Sequence, residues 1–196
     1  MVALLPVLLH KLAGATQLLS GLNALLSIEG GEELALSRSD DLGTASQTAH
    51  DLGWLMAVLA SAGGTNLLLE RREPRGIAIV LELLADALRR SGHELRGTGL
   101  APPALAPEVL DGWQVAWSFG ALLLSAADDL APGEPLEWSL ASTAEGGVQL
   151  SAPAGDSVAR IAPLVTERLP GARLAVGEGR LTLSLPAEWL ARDAAR

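Results

Sequence analysis

A chain of 196 residues that is 49% apolar has material for one large domain or two small ones, and that composition excludes intrinsic disorder. It holds no cysteine, which removes disulfides, thiolate nucleophiles and cysteine-ligated zinc, and its three histidines, His10, His50 and His93, lie too far apart to suggest a histidine metal site. A net charge of −9, with no arginine cluster larger than Arg71, Arg72 and Arg75, argues against a nucleic-acid partner.

The first predicted helix runs from Ala3 to Ser27. Its apolar residues Leu5, Leu8, Leu12, Ala15, Leu19, Leu22 and Leu26 are spaced alternately three and four apart, the heptad period of a packed helix. Pro6 is tolerated because first-turn amides have no helical partner in any case. His10 falls opposite this seam. A histidine kept for packing sits on a seam, so His10 is the candidate to meet a proton, a metal or a phosphoryl group, against the plainer reading of an ordinary exposed helix histidine.

Glu29 to Ser37, with Gly30 and Gly31, reads as a loop. Ser39 followed by Asp40 and Asp41 is an N-terminal helix signal, and the second seam is Leu42, Ala45, Ala49, Leu52, Met56 and Leu59, ending near Gly63 and Gly64. Two such helices joined by a short loop make an antiparallel hairpin. A lone hairpin cannot bury both seams together with Leu4, Leu18 and Leu25, so a dimeric four-helix bundle is expected.

After Thr65 the pattern changes. A third helix, Ile77 to Arg90, carries Ile77, Val80, Leu81, Leu84 and Leu88 on one face, and His93 to Gly99 reads as a weak strand. The loop Ala101 to Pro107 leads to a helix from Glu108 to about Leu130, with Trp113, Trp117, Gly120 and Leu124 expected on its buried side. The period then becomes two, through Leu136, Trp138 and Leu140, Val148 and Leu150, Leu174 and Val176, and Leu181, Leu183 and Leu185. A helix from Asp156 to Leu169 interrupts these strands, and Gly177-Glu178-Gly179 turns the last two into a hairpin. Helices on one mixed sheet make an α+β sandwich. The predicted domains are residues 1–66, the helical hairpin, and residues 67–196, the sandwich.

The longest uncharged stretches, Leu12 to Ile28 and Gly112 to Ala127, are interrupted by polar residues and read as amphipathic, so no membrane span is expected. Met1 to Leu9 lacks the charged start and cleavage site of a signal peptide, which leaves a cytoplasmic location as the expectation.

The run His10-Lys11-Leu12-Ala13-Gly14-Ala15-Thr16-Gln17-Leu18-Leu19-Ser20-Gly21 resembles the phosphoacceptor box of bacterial sensor histidine kinases. Ala121 to Leu130 is similar to that family's first ATP-site box, with Ser125 where an asparagine holds magnesium, and Arg180 to Pro186 resembles the strand that closes its ATPase domain. Where the family places Asp-x-Gly-x-Gly to read the adenine, this chain has Ser151-Ala152-Pro153-Ala154-Gly155, and the step from Gly155 to Ser157 is too short for the second glycine loop and its lid. Without amides to cradle phosphates and without a magnesium ligand, ATP use is not expected.

These departures resemble the histidine phosphotransferases built on a degenerate kinase core, of the ChpT type. The resemblance implies a dimeric four-helix bundle followed by a degenerate histidine-kinase ATPase-like α/β sandwich. It also implies a phosphorelay in which His10 takes a phosphoryl group from one response regulator receiver domain and gives it to another. Lys11, where kinases carry an acid, is the only lysine and is expected to give charge support to transfer; Gly14, where bifunctional relatives carry Asn or Thr, implies little phosphatase activity. No cofactor of its own is implied, since the receiver brings the Mg2+. The implied partners are receiver domains, a second copy and, as a further candidate, a sensor histidine kinase.

His50-Asp51-Leu52 fits the usual histidine, acid, aliphatic order better than His10 does, but lies on the second helix and lacks the downstream pattern, so it stands as the alternative acceptor. His93 reads as structural or solvated. Trp54, Trp113, Trp117, Trp138 and Trp189 read as core or interface fillers, and Arg71, Arg72 and Arg75 as a charged linker or an acidic-surface contact. Asp128 and Asp129 oppose the dipole at a helix C-terminus, which marks either a site or, more simply, a solvated remnant. The rival to the relay is a non-catalytic pseudo-kinase adaptor that dimerises and binds a regulator or kinase; a third reading is a kinase with an unrecognised nucleotide site.

Overall fold

The computed structural model describes residues 5–28, 30, 31, 33, 37–62, 75–106 and 112–192. The readings placed on Leu4, on Gly63 and Gly64, on Arg71 and Arg72 and on Glu108 lie outside these residues, as do the side chains of Leu5, Leu59 and Trp113. The chain divides into two compact units, Met1–Leu68 and Leu69–Arg196.

The first unit is built on α1 (Leu5–Leu26) and α2 (Ser39–Ala62), which pack on each other. The heptad-spaced buried residues are Leu8, Ala15 and Leu22 on α1 and Ala45 and Leu52 on α2, with Leu18 and Leu25 half-buried beside the first three; Val7 and Trp54 are buried outside these lanes. The predicted seams are therefore split. Leu12, Leu19 and Leu26, and on α2 Leu42, Ala49 and Met56, are exposed rather than buried. The cause is geometric: each helix carries two apolar lanes side by side, and one neighbouring helix covers only one of them.

The second unit places three helices against one sheet. They are α3 (Gly76–Arg90), α4 (Gly112–Ala127) and α5 (Asp156–Arg168); the strands are β1 (Leu95–Gly99), β2 (Leu136–Ser142), β3 (Val148–Pro153), β4 (Arg173–Gly177) and β5 (Arg180–Leu185). The sheet order is β1-β2-β3-β5-β4, with β1 parallel to β2 and the remaining pairs antiparallel, so the sheet is mixed as the pattern predicts. The alternation assigns the faces: Leu136, Trp138, Leu140, Val148, Leu150, Ala152, Leu181, Leu183 and Leu185 are buried, while Glu137, Gln149 and Arg180 between them are exposed.

One predicted face is corrected. On α4 the buried residues include Val115, Ala116, Ser118, Phe119, Leu122, Leu123, Ala126 and Ala127, whereas Trp117 and Leu124 are only half-buried; of the predicted set whose side chains are described, Gly120 alone is buried. The helix packs on α3, α5, β2 and β3 together, so its buried arc is wide and a single stripe underestimates it. Gly120 is required there, because a Cβ would stand 2.6 Å from Val80 Cγ1. At the edge of the sheet the indole of Trp138 covers Gly97, where a Cβ would lie 2.6 Å from the ring. The β4–β5 turn has Glu178 at φ 52° and Gly179 at φ 72°, the left-handed pair that a two-residue hairpin turn needs.

Candidate functional site

His10 stands in the second turn of α1 and is exposed, on the side of the helix away from the open lane of Leu12 and Leu19. It shares a lane with Gly14, Gln17 and Gly21, all exposed; a Cβ built on either glycine meets nothing within 4 Å, so this flank of α1 is low and accessible. Below His10 a groove of about 520 Å3 is lined by Gly14, Gln17, Leu18, Gly21, Leu25 and Arg38, among others. Lys11 differs from its neighbour: it is half-buried, and its position falls in the lane of Leu8, Ala15, Leu18 and Leu22 that faces α2. The two residues of the predicted pair thus point to different sides.

His50 is also exposed, on α2, and next to it the half-buried Asp51 carboxylate accepts a hydrogen bond from Gln47 Nε2 at 2.6 Å. The acid that follows His50 in sequence is therefore already tied to the preceding turn. His93 is half-buried with Nδ1 2.9 Å from the Glu134 carbonyl oxygen, so that nitrogen carries the proton and the ring joins the segment before β1 to the segment before β2, a structural role.

In the second unit Asp129 is the residue that sequence reasoning misjudged. Asp129 is exposed, but its carboxylate is tied: Oδ2 accepts the Ser157 amide at 3.0 Å and Oδ1 accepts the Ser157 hydroxyl at 2.9 Å, while Arg160 Nη2 donates to the same hydroxyl at 2.9 Å. A side chain from beyond the end of α4 therefore caps the N-terminus of α5, taking the place where a helix dipole attracts an anion. Gly155 makes the approach possible, since a Cβ there would lie 2.5 Å from Asp129 Oδ2. Nothing in the sequence signals this cap, because donor and acceptor are 28 residues apart and the helix starts without a side-chain cap of its own. Only Ala154 and Gly155 separate β3 from α5, and the Ala154 amide is held by the Gly179 carbonyl at 2.8 Å. Ser125 is half-buried on α4, and no group of three or more His, Asp or Glu side chains is arranged to hold a metal among the described residues.

Trp54, Trp138 and Trp189 are buried and serve as fillers; Trp189 Nε1 donates to the Pro170 carbonyl at 3.1 Å. No helix among the described residues is long and apolar enough to cross a membrane.

No family model and no curated protein matches this chain. Among solved structures it is similar to the histidine kinase domain of a blue-light activated histidine kinase from Erythrobacter litoralis, with a TM-score of 0.45 and 10% identity over 89% of this chain and 96% of that one. It is also similar to a longer structure of the Erythrobacter litoralis blue-light activated histidine kinase, with a TM-score of 0.41 and 12% identity over 94% of this chain; the match spans 60% of that longer chain.

Proposed function

We propose that this protein is a cytoplasmic, dimeric histidine phosphotransferase of a two-component phosphorelay, with His10 as the phosphoacceptor and no nucleotide of its own. The observation that carries the reading is an exposed imidazole on the side of α1 away from the exposed lane of Leu12 and Leu19, with exposed Gly14, Gln17 and Gly21 following it. A ring nitrogen of His10 attacks the phosphorus of a receiver's aspartyl phosphate, the P–O bond to the aspartate breaks, and the carboxylate leaves. A second receiver then reverses the step on its own aspartate. The chemistry asks for a positioned imidazole and room for a receiver, whose acidic pocket supplies the Mg2+. The low flank formed by Gly14 and Gly21 suits that approach.

Two observations support transfer without ATP. The N-terminus of α5 is already occupied by the Asp129 carboxylate, and a connection of two residues has no room for a phosphate loop. Lys11 in this reading adds positive charge near the acceptor from the α2 side. The exposed apolar lanes of α1 and α2 support the two-copy bundle in this reading.

The test is transfer from a receiver phosphorylated with a small phosphodonor. Wild-type protein should take up acid-labile, base-stable phosphate, and His10→Ala should lose it entirely, whereas His50→Ala should keep it. Loss in His50→Ala alone moves the acceptor to α2; absence of transfer in wild type, with binding retained, favours the adaptor.

A further inference from the structure

The wet face of the sheet carries a polar hollow at one end of its strands. Arg173 on β4, Ser184 on β5 and Gln149 on β3 stand side by side across three paired strands. Their neighbours Val148, Leu150, Leu183 and Leu185 are buried on the other face, so these three side chains point away from the core. Together with Thr143 and Glu145 of the β2–β3 turn on one side and Gly171 on the other, they line a hollow of about 440 Å3, a volume within the usual range of small-molecule sites. Both rims are held by hydrogen bonds. In the turn that carries Glu145, the Thr143 amide donates to the Gly147 carbonyl at 2.9 Å and the Gly147 amide to Thr143 Oγ1 at 3.0 Å. The turn before Arg173 is fastened by the Ala172 amide on the Leu169 carbonyl at 3.0 Å and by Trp189 Nε1 on the Pro170 carbonyl.

Two opposite charges line this hollow without meeting. Arg173 and Glu145 are both exposed, and among the described residues neither side chain makes a hydrogen bond or an ion pair. Strands β5 and β3 lie between β4, which carries Arg173, and the turn that carries Glu145, and each strand adds about 4.8 Å of separation. The floor between the two charges has donors to spare, since Gln149 Nε2 reaches Ser184 Oγ only at 3.4 Å, longer than an ordinary hydrogen bond. A hollow of one sign suits a simple ion. A guanidinium and a carboxylate held apart suit a molecule that carries both charges itself.

We infer that this hollow binds a small zwitterion of about dipeptide length, with its carboxylate on Arg173 and the Gln149 amide and its ammonium group at Glu145. The planar guanidinium is the group suited to a carboxylate, which it grips through two parallel N–H donors. The site lies wholly in the helix-on-sheet unit and depends neither on His10 nor on the number of copies.

The experiment titrates the full chain with the dipeptide alanylalanine, with its N-acetylated form, which lacks the ammonium group, and with its C-terminal amide, which lacks the carboxylate. Binding is read by heteronuclear NMR. The free dipeptide should shift the backbone amides of Gln149, Arg173 and Ser184 saturably in the millimolar range, and each capped form should bind at least about threefold more weakly. Arg173→Gln and Glu145→Gln should each weaken the free dipeptide by a similar factor, and added salt should weaken it in wild type. Arg180→Gln, on the same face but outside the hollow, where Arg180 Nη2 donates to Ser151 Oγ at 3.2 Å, should leave binding unchanged. Circular dichroism should be equal in all variants, since every altered residue is exposed. Shifts that are absent or never saturate, or binding indifferent to both Arg173→Gln and Glu145→Gln, overturn the site. An acetylated form that binds as well as the free dipeptide and is lost in Arg173→Gln makes this an anion site and overturns the zwitterion.

Discussion

The two units of this chain solve the same problem to different degrees. The helix-on-sheet unit encloses a large core of its own: Phe119, Leu122, Leu136, Leu140, Leu150, Leu181 and Leu183 are fully buried among its helices and strands, and Leu100, Leu164 and Val176 are the large apolar residues left exposed among those described. The helical unit buries Leu8, Ala15, Leu22, Ala45 and Leu52 with Val7 and Trp54, but leaves Leu9, Leu12, Leu19, Leu26, Leu42 and Met56 exposed. The two differ in how much of their apolar surface the described residues leave in water. The side that needs neither lane is where His10 stands.

The largest effect expected from this contrast is in the finished core. Phe119→Ala should destabilise the second unit by about 3–5 kcal/mol, read by chemical denaturation, because four neighbouring elements cannot collapse onto the lost ring. Next comes the paired change Leu12→Ser with Leu19→Ser. It alters exposed positions, so in an isolated helical unit it should shift stability by less than about 1 kcal/mol, whereas a concentration-dependent melting point that vanishes in the variant places these residues in an interface. A melting point that is independent of concentration in wild type would erase the distinction between the two units. A smaller effect belongs to the α5 cap. Asp129→Ala should cost about 1–2 kcal/mol and Gly155→Ala a similar amount, since the added Cβ displaces the same carboxylate; the two together should cost little more than either alone. The smallest is a gain: Glu178→Asn, at a left-handed turn position, should stabilise the β4–β5 hairpin by less than about 1 kcal/mol.

Period and punctuation made most of the fold legible. The strands were readable because Leu181, Leu183 and Leu185 alternate with Thr and Ser, and their turn because Glu178-Gly179 suits left-handed backbone. The mixed sheet followed from a helix falling between strands. What could not be read was which of two adjacent lanes a neighbour covers: Leu12 and Leu22 look alike in sequence, and only the packing partner separates them. The same limit hid the buried arc of α4, where contacts on three sides override any single stripe. His10 was legible as an exposed position because it lies opposite the predicted seam, although Val7 one turn before it is buried; Lys11 was not legible as half-buried, since a long side chain can lie along a seam with its charged end outside. Asp129 was opaque for a different reason, as a cap supplied from 28 residues away leaves no local mark.

The indole of Trp138 lying over Gly97 has an optical consequence. Strand β1 is held to β2 by its parallel ladder and is otherwise mostly solvent-facing, so this ring is the side-chain cover of the outer margin of the sheet, and peeling that margin away wets the fluorophore while the rest of the unit stays intact. In a protein whose other tryptophans are replaced by phenylalanine, a red shift in emission that precedes the loss of far-ultraviolet ellipticity would time the fraying of that single strand.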